Sequence, residues 1–292
     1  RMRYFGHACI LLETNDVSVL IDPVISYYGY ESSVEHYSDI DLPDTIDYVL
    51  ITHNHQDHIL FETLLPLRHK IKNIIVPKTS SGALQDPSLK LLFEKLGFEN
   101  VFEIGEMEKL KFNHCTFTGV PFTGEHSDLN VLAKTCFHVA FNNFSFLFVA
   151  DSHVLDKRIY EHVQRTIGNI DVIFLGMECD GAPLSWLYGP LLTEELPRDK
   201  DQSRRLAGSD YERGMHLVNI FNPKEIYVYA MGQEPWLEFI STVRYTDESN
   251  PIIQSNRLVE ECIKRGIKAE RLFGEKELLY DFSKTNSLNL QN

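Results

Sequence analysis

One heptapeptide constrains this chain more than any other feature. Residues 52–58 read T-H-N-H-Q-D-H, which gives three imidazoles and one carboxylate in seven positions. The apolar run 48–51 before it is typical of a buried strand, and the apolar spacing of 59–67 after it predicts an amphipathic helix. Because such a polar cluster serves no packing purpose and is costly to bury alone, it predicts a metal site in the turn that leaves the strand.

The spacing inside this motif indicates two ions. Side chains of a strand alternate with a period of two, so His53 and His55 can point the same way and bind one ion. Asp57 and His58 stand at the start of the helix and can turn toward a second ion. Imidazole together with carboxylate suits zinc, iron or manganese, and the absence of cysteine from the motif argues against a structural zinc site.

Length and composition are typical of one large domain. The 292 residues are 43 % hydrophobic, and we assign 1–282 to a single catalytic domain and 283–292 to a polar C-terminal tail. No apolar run reaches the roughly 18 residues of a membrane helix, and no signal peptide is visible. The chain opens on Arg1 and enters an apparent strand at once, as expected of a domain whose upstream part is absent. Five scattered cysteines, mostly in apolar segments, indicate reduced thiols and a cytoplasmic protein.

The formal net charge of −14 bears on the class of partner. A nucleic-acid enzyme is expected to carry a basic footprint, and an anionic membrane surface attracts basic segments. The charge therefore argues against both nucleic acid and membrane as partners.

Further candidate ligands stand where other strand-like segments end. Glu125 and His126 lie side by side between two such segments, and because neighbouring side chains normally face apart, we expect one of them to ligate. Asp151 and Glu178 each follow an apolar run that is typical of a buried strand. These carboxylates lie where active-site loops gather.

Two histidines outside the heptapeptide are expected not to bind metal. The N-terminal pattern predicts one strand over 3–13 with Gly6–Cys9 inside it, so His7 is interpreted as a hydrogen-bonded interior group. His153 is interpreted as a neighbour of the metals or a group that faces substrate. At the other end of the chain, the pattern predicts a last helix over 255–265.

The heptapeptide resembles the signature of the metallo-β-lactamase superfamily, and Gly6–Cys9 and Asp22 fit features expected near its start. The resemblance implies an α/β fold, namely a four-layer αββα sandwich with a one- or two-metal site at one edge. It also implies that Asp22 supports the metal loop without binding. Since this scaffold hosts hydrolases, nucleases and redox enzymes, the motif alone says little about the reaction.

Two departures from the hydrolases of this superfamily narrow the choice. Those hydrolases typically place a final histidine ligand after a late strand, here 225–230, but no histidine follows His216. Glu125 also stands beside the histidine, His126, that is expected to complete the ligand set of the first ion. Exchange of imidazole for carboxylate shifts the preference from zinc toward iron or manganese. An open coordination position on the second ion suits dioxygen.

With these departures the chain is similar to the catalytic domain of the diiron β-hydroxylases of nonribosomal peptide biosynthesis, whose best-known member serves the chloramphenicol pathway. Four motifs carry the similarity in order: T-H-N-H-Q-D-H, G-E-H-S-D, A-D-S-H and G-M-E-C-D-G. The family carries an N-terminal dimerisation domain, which we expect to be missing here. The implied site comprises His53, His55 and Glu125 on one iron, Asp57 and His58 on the other, Asp151 and a solvent-derived oxygen as bridges, and Glu178 as a carboxylate near the cluster. His126 is then a neighbour of the site.

The implied reaction is monooxygenation. It uses dioxygen and an external electron donor, and it hydroxylates the β-carbon of an amino acid held on a peptidyl carrier domain. Carrier domains are usually acidic, so the net charge counts against this partner unless a local basic or apolar patch docks it. Aromatic residues of two loops are candidate walls of the substrate cleft: Tyr27, Tyr28, Tyr30, Trp186 and Tyr188.

Two alternatives stay open. One is a dinuclear Zn²⁺ hydrolase acting on an ester, lactone or thioester, in which a bridging water attacks a polarised carbonyl. The other is a non-catalytic domain that retains the motif. Metal content separates the three hypotheses, because they expect two irons, two zincs and an empty site.

Overall fold

The chain builds two stacked β-sheets covered on their outer faces by helices. A computed structural model describes residues 1–27, 29–79, 86–124, 131–142, 144–181, 185, 191–201, 208–241 and 244–281. Its strands are β1 (Met2–Tyr4), β2 (Ile10–Glu13), β3 (Ser18–Ile21), β4 (Ile46–Leu50), β5 (Ile71–Pro77), β6 (Val101–Ile104), β7 (Lys109–Lys111), β8 (Thr116–Val120), β9 (Cys136–Phe141), β10 (Phe144–Phe148), β11 (Val172–Gly176), β12 (Glu225–Tyr229), β13 (Lys268–Arg271) and β14 (Lys276–Leu278). Its helices are α1 (Phe61–Leu67), α2 (Leu89–Lys95), α3 (Lys157–Ile167), α4 (Arg198–Asp201), α5 (Tyr211–Phe221) and α6 (Asn250–Lys264), with short 3-10 helices at Asp39–Asp41 and Pro235–Leu237.

The two sheets have the same construction. In the described part of the chain, one has the strand order β14-β1-β2-β3-β4-β5-β6 and the other β13-β12-β11-β10-β9-β8-β7. Strands β3 to β6 are parallel to one another, as are β10 to β13, and the remaining pairs are antiparallel. The carboxyl ends of parallel strands meet at one edge of a sheet, so the loops after β4 and β10 lie where a site can form.

Alternate side chains of β10 point to opposite faces of the second sheet. Phe146 and Phe148 are buried between the sheets, where the Phe148 ring stacks on Phe174 with centroids 5.0 Å apart. Leu147, between them in sequence, joins the opposite cluster under the helices of the second sheet, which includes Tyr160 of α3. A third cluster packs α1 and α2 on the first sheet. This four-layer αββα arrangement confirms the predicted fold.

The N-terminal prediction of one strand over 3–13 is wrong. β1 and β2 form an antiparallel hairpin in which Tyr4 pairs with Ile10. Between them the chain reverses in a tight turn, with Gly6 at φ 102° and His7 at φ 49°. The turn closes through a hydrogen bond from the Phe5 amide to the Cys9 carbonyl at 2.9 Å. Because of this turn, His7 reaches the edge of the sheet.

The last helix and the strands after it also differ from the sequence pattern. α6 begins at Asn250, five positions before the predicted start at 255, and carries a proline at Pro251. Proline is favoured in the first turn of a helix, where its missing amide hydrogen costs nothing. The half-buried strand β13 is an edge strand of the second sheet. Its apolar and polar residues do not alternate clearly enough to predict a strand from the sequence.

The prediction of free thiols is confirmed. The five cysteines are unpaired, and all but Cys179 are buried. In the described ranges, no helix combines the length and the apolar character that crossing a bilayer would need.

His138 on β9 makes the fold sensitive to acid. Its side chain is buried, and this burial, with the charge of Lys109, lowers its pKa from 6.5 to about 4. Between these two values the unfolded chain binds a proton that the folded chain does not. The free energy of unfolding therefore falls by about 3 kcal/mol as the pH drops from 6.5 to 4. We expect His138→Gln to lose this component, measured as a smaller difference in urea unfolding of metal-free protein between pH 7 and 4. An unchanged pH dependence would contradict it.

Candidate metal centre

The candidate centre lies at the edge where the loops after β3, β4 and β10 meet. Asp22 follows β3, the heptapeptide 52–58 follows β4, and Asp151 follows β10. His53 and His58 are fully buried, while the Asp151 side chain is about one-fifth exposed to solvent. The site is therefore buried in the sheet edge and opens on the side of Asp151.

Asp151 stands between one predicted ligand of each ion. Its Oδ2 lies 3.5 Å from Nε2 of His53 and 3.3 Å from Nε2 of His58. These rings are stacked at a tilt, with centroids 4.2 Å apart. This position between the two imidazoles is the one that the predicted bridging role of Asp151 requires.

Asp57 and His55 occupy the two flanks of this pair. The Oδ2 atom of Asp57 lies 3.9 Å from Nε2 of His58. The His55 ring lies on the other side, with its centroid 4.7 Å from that of His53. The structure thus brings together five of the six predicted metal ligands. Their division between two ions stays a prediction.

Asp22 sets the orientation of both central histidines. Its Oδ2 accepts a 2.8 Å hydrogen bond from Nδ1 of His58 and a 2.6 Å bond from the Thr52 hydroxyl. Because that hydroxyl has its proton on Asp22, it accepts from Nδ1 of His53 at 3.0 Å. With both Nδ1 atoms protonated, the neutral imidazoles present bare Nε2 atoms to the site. Thr52 was not singled out by the sequence pattern, although it belongs to the heptapeptide.

A hydrogen-bond cluster holds the segment that leads to Glu125 against the segment that carries Asp151. The Thr123 amide donates to Oγ of Ser152 at 2.9 Å, and its hydroxyl donates to the His153 carbonyl. The Tyr160 hydroxyl of α3 lies 3.0 Å from Oγ of Ser152. No sequence pattern had indicated Thr123 or Tyr160, because only the tertiary fold places α3 beside both segments.

The position of His153 explains the glycine before the predicted ligand. Gly124 has φ +78°, and a Cβ atom at this position would overlap the His153 ring. His153 therefore packs on the backbone of the 121–124 segment, as a neighbour of the site. Glu125 and His126 lie outside the described residues, so which of them ligates stays a prediction.

Glu178 follows β11 and is nine-tenths buried. Burial, with the charge of Asp180, raises its pKa from 4.5 to about 7. Burial raises the pKa of Tyr245, and the charge of Glu178 raises it further. A carboxyl with a pKa near neutrality can hold or release a proton under working conditions, which is the property expected of a group that takes part in chemistry.

The predicted cleft walls are only partly described. Tyr28, Trp186 and Tyr188 lie outside the described residues. Tyr27 is two-thirds exposed, and its ring meets that of Tyr30 edge-on at 5.6 Å. Their role as walls of a substrate cleft stays a prediction.

The donor set fits metal ions. Nε2 of His58 and Oδ1 of Asp57 are buried atoms without a hydrogen-bond partner among the described residues. Burial opposes the charged form of His58, but the charges of Asp151, Asp57 and Asp22 raise its pKa well above the ordinary value. The buried carboxylates thus require positive charge at this point, and a dication bound by Nε2 supplies it.

Comparison with known proteins places this site in a family. The family model described as the beta-lactamase superfamily domain matches residues 18–182, more than half of the chain. This chain belongs to the β-lactamase superfamily. The matched range includes every predicted metal ligand and Glu178, so the superfamily recognised in the heptapeptide is confirmed.

The matches beyond the family model include a hydroxylase that acts on a carrier-bound amino acid. The chain is 44 % identical over 273 residues to the Streptomyces venezuelae 3-hydroxylase of 4-amino-L-phenylalanyl-CmlP peptidyl carrier protein, covering 93 % of this chain and 51 % of that protein. The crystal structure of CmlA, a diiron β-hydroxylase from Streptomyces venezuelae, superimposes with a TM-score of 0.87 at 42 % identity, covering 95 % of this chain and 53 % of that one. The chain thus spans about half the length of these relatives.

A metallo-hydrolase shares the architecture at much lower identity. The metallo-hydrolase Igni18 from Ignicoccus hospitalis superimposes with a TM-score of 0.62 at 14 % identity, over 97 % of this chain and 99 % of that one. At this identity the likeness shows the superfamily fold alone. The reaction has to be argued from the site.

Proposed function

We propose that this chain is the catalytic domain, residues 1–282, of a diiron monooxygenase that hydroxylates the β-carbon of an amino acid tethered to a peptidyl carrier domain. The observation that carries this proposal is the 44 % identity to a carrier-protein-dependent 3-hydroxylase over 93 % of the chain. The site supports it independently, because a two-position donor set is present and no histidine follows His216. We place the enzyme in the cytoplasm, since its thiols are free.

The residues that would hold the two irons follow from the geometry and the four motifs. His53, His55 and Glu125 would bind the first ion, Asp57 and His58 the second, and Asp151 together with an oxygen from solvent would bridge them. Bound iron would supply the activation of dioxygen and the oxidation of the substrate C–H bond. Over the whole reaction, one oxygen atom enters the C–H bond, and the other leaves as water with two protons and two electrons from an external donor.

The chain's own residues prepare the site for this reaction. Asp22 and Thr52 hold the rings of His53 and His58 before any ion binds, so little reorganisation is needed on loading. Burial of both rings keeps bulk water from the inner side of the centre. Among the described ligands, the partly exposed Asp151 marks the side from which substrate can approach.

Glu178 is proposed as the proton-holding carboxyl beside the centre. Because its pKa lies near 7, it can exchange a proton or a hydrogen-bond partner when substrate binds. The Gly208 amide donates to the Glu178 carbonyl, so the backbone of this residue is tied to a second segment. Movement is therefore expected in the side chain rather than in the loop.

The proposal is tested by metal content and by product mass. The purified protein should contain two irons per chain. After reduction and exposure to dioxygen it should add 16 Da to an aminoacyl-carrier protein, detected by mass spectrometry of the intact carrier. Two zincs, together with hydrolysis of a thioester and no gain of oxygen, would overturn the proposal in favour of a hydrolase.

Replacing Glu178 by alanine is expected to leave both irons in place while product per dioxygen consumed falls severalfold. The reason is that Glu178 is not in the proposed ligand set, although its charge interacts with that of Asp151 at the end of the neighbouring strand. Dioxygen uptake and hydroxylated carrier are measured in the same reaction, with Asp171→Ala, just before β11 and away from the metal centre, as the control for loss of a carboxylate. Unchanged coupling would assign Glu178 to structure alone.

A further inference from the structure

His7 lies in the turn between β1 and β2 and is almost completely buried. Both of its ring nitrogens have partners. The Gly232 amide donates to Nδ1 at 3.1 Å, and Nε2 lies 3.1 Å from Oδ2 of Asp57. An imidazole nitrogen that accepts a hydrogen bond carries no proton, so the neutral ring has its proton on Nε2. His7 therefore donates to Asp57.

This tautomer decides between two roles for His7. The ligand atoms of His7, Asp57 and His58 lie within 4.8 Å of one another, which by itself fits three ligands of one ion. A metal, however, needs a lone pair, and the Gly232 amide leaves Nε2 of His7 without one. The geometry makes His7 a partner of the ligand Asp57 rather than a ligand.

The segment after β12 is built around this turn. The Ala230 amide donates to the His7 carbonyl at 2.9 Å, so the segment holds both the backbone and the ring of His7. Farther along, Glu234 accepts a 2.5 Å hydrogen bond from the Tyr4 hydroxyl. Trp236 covers Gly6 so closely that a Cβ atom there would overlap the indole ring. The segment thus contacts the turn at several points.

Asp57 uses its two oxygens differently. Oδ2 accepts from His7, whereas Oδ1 is buried and has no hydrogen-bond partner among the described residues. With Oδ2 held, rotation about the Cβ–Cγ bond is restricted, and Oδ1 keeps a fixed direction. A carboxylate held in this way is a better ligand than a freely rotating one, because less conformational freedom is lost when the ion binds.

We propose that His7 is a positioning residue for the second ion: the Gly232 amide fixes its tautomer, and its Nε2–H holds Asp57 in the orientation that binds. The loop after β12, where superfamily hydrolases place a histidine ligand, then acts through His7 instead of binding the ion itself. The inference rests on the metal assignment of the proposed function but not on the identity of the metal. It names a histidine that the four motifs leave out.

The test is a titration of Co²⁺ into chelator-stripped protein, followed by visible absorption and by metal analysis after gel filtration. Wild-type protein should bind two ions. His7→Phe should weaken the second binding event roughly 10- to 100-fold, the range known for the loss of such partners, and leave the first within about threefold. His7→Gln retains a side-chain N–H donor and should recover most of the lost affinity.

A second variant acts on His7 without altering its ring. Gly6→Ala places a Cβ atom against Trp236 and strains a residue at φ 102°, so the turn has to shift. It should also weaken the second binding event. His138→Gln, a change at a buried histidine on β9, is the matched control and should bind both ions like wild type, while thermal unfolding of each metal-free variant shows that it is folded.

Each remaining outcome has one meaning. A folded His7→Phe protein that binds the second ion with wild-type affinity overturns the inference. Equal loss in His7→Phe and His7→Gln also overturns it, because a ligand would not be replaced by an amide donor. A wild-type protein that binds two Co²⁺ but purifies with zinc and hydroxylates nothing would end the proposed function while leaving the role of His7 intact.

Discussion

Replacing Glu125 by alanine is expected to remove the first iron and abolish hydroxylation while the protein stays folded. A ligand in direct contact with iron contributes more than its hydrogen-bonded partners, so the loss of affinity should exceed the roughly 10- to 100-fold known for partners. The fold does not depend on this residue, since the sandwich core is formed by the inner faces of both sheets. The free energy of unfolding of metal-free protein should change by less than about 1 kcal/mol. Iron is measured by metal analysis and activity by the mass of the carrier.

His126→Ala is the matched control for this prediction. The two neighbouring residues are alternative ligands, and only one of them is expected to face the first ion. If Glu125 ligates, His126→Ala keeps two irons. If Glu125→Ala keeps full iron and His126→Ala loses it, the ligand is the imidazole, and the argument for iron over zinc weakens.

Replacing Asp22 by alanine is expected to cost both stability and metal. The carboxylate is fully buried and accepts from the amide and hydroxyl of Thr52 and from His58. Removing a buried charged acceptor leaves these donors unpaired, which costs about 3 kcal/mol or more. Alanine would also be strained at φ 42°. Urea unfolding of the metal-free protein measures the first effect, and Co²⁺ titration the second.

Asp22→Asn separates the two effects. The amide keeps the volume and one acceptor, but its NH₂ group faces the donors of Thr52 and His58, so His58 is driven to the tautomer with Nε2 protonated. Metal affinity should fall further than stability. Asp171→Ala is the control. Asp171 lies just before β11, away from the metal centre, and accepts from the Ser145 amide, so its replacement should lower stability without changing metal binding. Equal metal affinity in Asp22→Asn and wild type would show that tautomer control by Asp22 is unimportant.

Most of the regular elements could be predicted because their signals are local. The helix predicted over 59–67 is observed as α1, Phe61–Leu67, because its apolar spacing is visible within a few residues. The prediction over 3–13 failed because apolar residues on both sides of Gly6 and His7 hide a reversal. Gly6 and His7 both adopt positive φ there, which the local pattern does not fix.

The site, too, has features that the sequence predicts and features that it does not. Residues 52–58 form one continuous motif, so strand periodicity alone separates His53 and His55 from Asp57 and His58. The partners that orient them come from strands far apart in sequence. Gly232 is 225 positions from His7, and a backbone amide leaves no mark in a sequence pattern.

From the sequence alone, the resemblance of its motifs to the superfamily predicted the αββα fold, and the residue types at strand ends predicted a metal site and its candidate ligands, because both signals are local. Only the tertiary structure decided which partners the ring nitrogens of His7, His53 and His58 meet. Gly232 and Asp22 lie far from His7 and His58 in sequence, and the packing of the sheets brings them together.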